Sequence, residues 1–131
     1  MDHYTLLTRC IAEFIGTAIM VALGNGSVAN VELKGTKGFH GGWVLIGFGY
    51  GIGVMIPAMM FATISGAQIN PAMTLALAFT NQFPWHEVLP YIVAQLLGAT
   101  VGQIAVVLTY KPYYDKTTNC ECVLGTFATI D

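Results

Sequence analysis

The sequence predicts an all-α membrane protein, with three spanning helices and one re-entrant half-helix within 131 residues. Three observations carry that prediction. Only 9% of the residues are charged and 55% are hydrophobic, against roughly 25% charged in an ordinary soluble domain. Three apolar stretches, about 11–31, 43–62 and 88–110, each reach the roughly 20 residues that a helix needs to cross a hydrocarbon core about 30 Å thick. A fourth segment, about 64–81, is too apolar for a water-exposed loop and too short to span.

The first span is expected to be retained rather than cleaved, because it is long and has no clear small-residue cleavage site. It carries Glu13 near its start and Asn25 near its end. A carboxyl at membrane depth is expensive unless it faces protein and finds donors, so Glu13 is expected to have a partner. Two roles stay open for it: a proton relay, or an acceptor for loop N–H groups.

In the second span Gly47, Gly49, Gly51 and Gly53 form two interleaved small-xxx-small pairs, which let another helix approach closely. Pro57 removes one backbone hydrogen bond and predicts a bend. The third span repeats the small-residue device with Gly98 and Gly102 and adds Gln95 and Gln103, which can bond across helices or to a loop.

The fourth segment predicts a helix that starts at mid-membrane. Asn70 is a favoured N-cap, and Pro71 fits the first helical position, where its missing N–H costs nothing. From there to about Asn81 a helix would run roughly 15 Å, half the hydrocarbon thickness. Irregular backbone at that depth is tolerated only where protein buries it or water lines it. Ser65, Gly66, Ala67, Gln68 and Ile69 are therefore expected to line a pore, with carbonyls held in an extended run and the Asn70 amide donating to a solute. The half-helix N-terminus adds roughly half a positive charge there, which opposes cations and protons but not neutral molecules.

Other chemistries are poorly supplied. The five basic residues, Arg9, Lys34, Lys37, Lys111 and Lys116, form no nucleic-acid surface, and their distribution orients the spans only weakly. His3, His40 and His86 lie outside the spans with no nucleophile or carboxylate at a catalytic spacing, so neither an enzyme nor a cofactor is expected. Cys120 and Cys122 are too close for an ordinary disulfide or zinc site, and Cys10 stands at a span edge. No metal site is expected.

The segment Ser65-Gly66-Ala67-Gln68-Ile69-Asn70-Pro71-Ala72-Met73-Thr74 resembles the first NPA box of the aquaporin superfamily. Ala12-Glu13-Phe14-Ile15-Gly16-Thr17 resembles the family's first-span signature, and Gly24-Asn25-Gly26-Ser27-Val28-Ala29-Asn30-Val31 is similar to bacterial glycerol facilitators. Leu33-Lys34-Gly35-Thr36-Lys37-Gly38, Gly41-Gly42-Trp43 and Gly125-Thr126-Phe127-Ala128-Thr129 extend that likeness.

The resemblance implies two inverted repeats, each with an NPA box, of which this chain holds one, in the general manner of transport proteins. It implies a multi-pass protein of the cell membrane, embedded in lipid and usually tetrameric. The pore would pass glycerol and other small neutral solutes, with water as a further candidate, and would need the second repeat with its filter arginine. Asn70 would donate to the solute, Pro71 and Ala72 would shape the half-helix contact, and Glu13 and Gln95 would brace the loop. Residues 111–131 would begin the inter-repeat loop.

Two residues depart from the pattern. Tyr50 stands where glycerol facilitators usually present a Trp to the selectivity filter, keeping an apolar ring but adding a hydroxyl. Gln68 stands where the family commonly has His, which removes a titratable group. The alternatives to a glycerol channel are a water- or neutral organic acid-selective channel, a non-conducting fragment lacking its second repeat, and an ion-coupled carrier built around Glu13.

Overall fold

The computed structural model describes residues 4–128; the His3 and Thr129 readings lie outside them. Its elements are α1 (Leu6–Glu32), α2 (Trp43–Ser65), α3 (Pro71–Phe79), α4 (Trp85–Tyr114) and α5 (Cys120–Gly125). Helices α1, α2 and α4 are long and apolar enough to cross a membrane. All three are longer than the apolar stretches suggest. Thr5 caps α1 by accepting the Thr8 N–H at 3.2 Å, ahead of the apolar run. Helix α4 continues through Pro112 to Tyr114, where the Asp115 N–H closes on the Lys111 carbonyl. Residues 111–131 are thus not all loop: they hold the end of α4 and the short α5, which Asn119 caps.

Helix α1 is the centre, packed against both α2 and α4. Arg9 meets Glu87 and Asn25 meets Gln103, each pair 78 residues apart in sequence. One offset held over four turns means that α1 and α4 run parallel in fixed register. Glycines set the spacing: a Cβ on Gly98 or Gly102 would overlap the Phe14 or Ala18 carbonyl, and one on Gly49 would overlap Ser27. On α2, Gly49 and Gly53 face α1, whereas Gly47 and Gly51 have nothing within 4 Å and lie on the outer face. Helix α2 runs unbroken through Pro57, which is buried close to Gly16 of α1.

Buried side chains gather at two ends. Ala78, Phe83, Val88 and Tyr91 pack where α3 returns to α4, and Ala29, Leu33 and Val106 pack near the other end. Much of the remaining apolar surface is uncovered, including Trp43 at 75% and Met59 at 80%. Exposure of that order suits lipid or further protein rather than water.

Candidate functional site

The site begins where α2 ends. Ser65 is the last helical residue, and Gly66 takes the left-handed conformation (φ 88°) that lets its N–H cap Ala62 at 3.1 Å. The chain then crosses to Asn70 (φ −154°), whose side-chain oxygen accepts the Ala72 N–H at 2.8 Å. Pro71 follows at the first helical position. Helix α3 has nine residues, roughly 14 Å of rise. It ends at Phe79, two residues short of the sequence expectation, because Asn81 turns left-handed (φ 57°) and the Gln82 and Phe83 N–H groups both close on the Leu77 carbonyl.

Glu13 organises the loop. Its carboxylate is fully buried and accepts the Ser65 hydroxyl at 2.6 Å, the Gln68 N–H at 2.9 Å, the Ile69 N–H at 2.6 Å and the Gln95 amide at 2.9 Å. The Gln95 amide also reaches the Thr74 hydroxyl at 3.0 Å. Four donors occupy one carboxylate, an arrangement that immobilises the backbone it holds.

This arrangement corrects the extended run expected of residues 65–70. Ala67 (φ 45°) and Ile69 (φ 41°) are left-handed, because two successive N–H groups must turn toward one carboxylate. In a trans peptide the preceding C=O points opposite to the N–H. Holding the Gln68 and Ile69 N–H groups on Glu13 therefore turns the Ala67 and Gln68 carbonyls away from it. Among the described residues no donor occupies either of those carbonyls.

The candidate pore-lining set also narrows. The Ser65, Gln68 and Ile69 side chains are buried, and the Ser65 carbonyl accepts the Tyr91 hydroxyl at 3.0 Å. Gly66 and Asn70 are exposed and Ala67 is half-buried. What the loop offers outward is backbone and the Asn70 amide rather than a row of side chains.

Tyr50 lies 37% exposed on α2, its ring so near α1 that a Cβ on Gly24 would overlap it. Its hydroxyl donates to the Asn25 side-chain oxygen. It is separate from the loop network in every hydrogen bond recorded among the described residues.

Three contributors escaped the sequence reading: Tyr91, Thr74 and the ion pair Arg9–Glu87. The guanidinium grips the carboxylate with two bonds, at 2.6 and 2.5 Å, and both side chains are only 11% exposed. A signal was available, since Glu87, Tyr91, Gln95, Gly98 and Gly102 recur at helical spacing and form the buried face of α4.

Three spanning helices around a half-helix that starts at a capped asparagine define a membrane-embedded unit with re-entrant backbone, a class in which such backbone lines a cavity or is buried. The family model for Major intrinsic protein matches residues 1–129, and the chain belongs to that family. It is 55% identical over 127 residues to the glycerol facilitator-aquaporin gla of Lactococcus lactis subsp. cremoris, covering 97% of this chain and 44% of that relative. It is 48% identical to the probable glycerol uptake facilitator protein of Thermotoga maritima, over 91% of this chain and 51% of that one.

The structure resembles the aquaglyceroporin from Plasmodium falciparum with a TM-score of 0.79 and 33% identity, over 86% of this chain and 45% of the other. The chain spans about half the length of the curated relatives it matches. Members of this family are channels rather than enzymes, and the three apolar helices fit a multi-pass protein of the cell membrane.

Proposed function

We propose that this chain forms one half of a passive channel for glycerol and other small uncharged solutes, completed by a second repeat. The observation that carries this reading is the split use of Asn70. Its side-chain oxygen caps α3, which leaves the exposed amide free to donate to a solute. The Ala67 and Gln68 carbonyls offer acceptors beside it. A polyol needs both, because each hydroxyl donates and accepts.

Neutral solutes are favoured for two reasons. The positive end of α3 and the amide repel a cation at the point where carbonyls alone would attract one. Glu13, the carboxyl at membrane depth, has four donors on it and no freedom to shuttle protons, which favours the bracing role over the relay. The Lactococcus lactis relative bears both glycerol facilitator and aquaporin in its name, so water is the natural second solute. Tyr50 would form one wall of the narrowest point, and the outer Gly47–Gly51 face would serve contacts between protomers of a homotetramer.

The test is osmotic. Vesicles holding the full-length protein, shrunk in a glycerol gradient, should re-swell several times faster than empty ones, and collapsing a proton gradient should leave the rate unchanged. Re-swelling at the empty-vesicle rate sinks the channel reading. Asn70→Ala should reduce the flux.

A further inference from the structure

We infer that Asn25 is a positioning residue for Tyr50, and that it fixes the Tyr50 wall by tying it across the helix bundle to the segment after α5. The inference rests on the proposed pore and adds to it a determinant of solute preference. Four links carry it. The Tyr50 hydroxyl on α2 donates to the Asn25 oxygen on α1. The Asn25 amide donates to the Gln103 oxygen on α4 at 2.7 Å, the Gln103 amide donates to the Thr126 carbonyl at 3.2 Å, and the Thr126 and Tyr114 hydroxyls meet at 2.7 Å.

The chain of bonds has one direction. Tyr50 can only donate where Asn25 presents oxygen, Asn25 then presents its amide to Gln103, and Gln103 presents its amide to a carbonyl. Reversing any member would set donor against donor or acceptor against acceptor. Each amide is oriented by the next, so loss of one link frees its neighbour to turn. Thr126, whose carbonyl receives the Gln103 amide, is fully buried.

The consequence concerns what Tyr50 shows to a solute. Its single hydroxyl proton is committed to Asn25, so the exposed part of the side chain presents a ring edge and oxygen lone pairs, not a donor. Gly24 lets the ring lie against the α1 backbone. Asn25 thereby sets both the position of the wall and its polarity. Removing the anchor frees the phenol to swing into the passage and to donate.

The test compares ratios in the full-length protein. Glycerol and water permeabilities are measured by vesicle re-swelling for wild type, Asn25→Val, Tyr50→Phe and the double variant. A folding defect changes the number of channels and scales both permeabilities together, whereas a displaced wall changes their ratio. Asn25→Val should lower the glycerol-to-water ratio roughly two- to tenfold, the range for loss of one ordinary hydrogen bond. Tyr50→Phe should do the same, and the double variant should add nothing further. An unchanged ratio in Asn25→Val, or full additivity with Tyr50→Phe, overturns the inference.

A second measurement does not need flux. With 3-fluorotyrosine at position 50, Asn25→Val and Gln103→Leu should each shift the fluorine resonance, and Lys116→Gln should not. A resonance indifferent to Asn25 overturns the inference even where transport is normal. A resonance that moves in a protein passing no glycerol supports the positioning and instead sinks the channel reading.

Discussion

Glu13 and Ile69, 56 residues apart in sequence, are joined by a 2.6 Å hydrogen bond from the Ile69 N–H to the buried carboxylate. With the neighbouring Gln68 bond it converts residues 65–70 into a loop whose Ala67 and Gln68 carbonyls face away from the Glu13 carboxylate. The bracing residue and the polar lining are therefore one device: without the acceptor inside, the acceptors outside lose their orientation. Glu13→Ala removes the partner of four donors and should destabilise the fold, each donor left buried and unpaired costing about 1–3 kcal/mol. Glu13→Gln keeps one acceptor oxygen and should lie between the two. Denaturant unfolding in detergent checks the order, and equal stability of all three proteins would remove Glu13 from its bracing role.

Asn70 has two functions that substitution can separate. Asn70→Asp keeps an oxygen for the Ala72 N–H but loses the free amide donor, whereas Asn70→Ala loses both. The cap is worth about 1 kcal/mol, so Asn70→Ala should be less stable than wild type by about that amount, and Asn70→Asp should not. Both should conduct less glycerol per folded channel. A conducting Asn70→Asp would show that the amide is dispensable.

Legibility in the sequence followed range. Asn70 and Pro71 signal a helix start through their own side chains and the next two residues, so the half-helix could be read directly. Glu13 announced a partner by its cost at membrane depth, but not which one. Its partners are backbone groups at Gln68 and Ile69, and a backbone donor leaves no mark in composition. The extended loop was expected because free carbonyls suggest a β-like run; the left-handed Ala67 and Ile69 arise from the carboxylate pulling two consecutive N–H groups inward. The ends of α1 and α4 were missed because hydropathy reports the apolar interval, while the helices continue into polar turns held by Thr5 and by the Arg9–Glu87 pair.

The glycine pairs of α2 and α4 differ in what they face, and alanine scanning should divide them. Gly98→Ala places a methyl against the Phe14 backbone carbonyl, which cannot swing aside as a side chain would. The α1–α4 separation must increase, so stability should fall by about 1–3 kcal/mol, the usual range for overpacking. Gly47→Ala meets nothing within 4 Å and should leave protomer stability unchanged or raise it by up to about 1 kcal/mol through helix propensity. If the outer face joins protomers, Gly47→Ala should weaken the oligomer on size-exclusion chromatography while sparing the protomer. A substantial loss of protomer stability in Gly47→Ala would contradict the outward placement.

The thiol of Cys122 lies outside the spans, half-buried beside Glu32. Burial first, and then the Glu32 side chain, push its pKa above the ordinary thiol value. Both causes disfavour the thiolate, and only the thiolate is nucleophilic. At pH 7 the reactive fraction is therefore smaller than in an unfolded chain, and alkylation should accelerate with pH up to a higher midpoint than in the denatured protein. Glu32→Gln removes the negative neighbour and should move that midpoint down toward the denatured value without abolishing the shift, because desolvation remains. Iodoacetamide labelling followed by mass spectrometry reads each cysteine separately. Folded and denatured protein labelling Cys122 at one rate at pH 7 would mean that the segment after α4 does not pack against the end of α1, and with it the Thr126 terminus of the Asn25 network would lose its support.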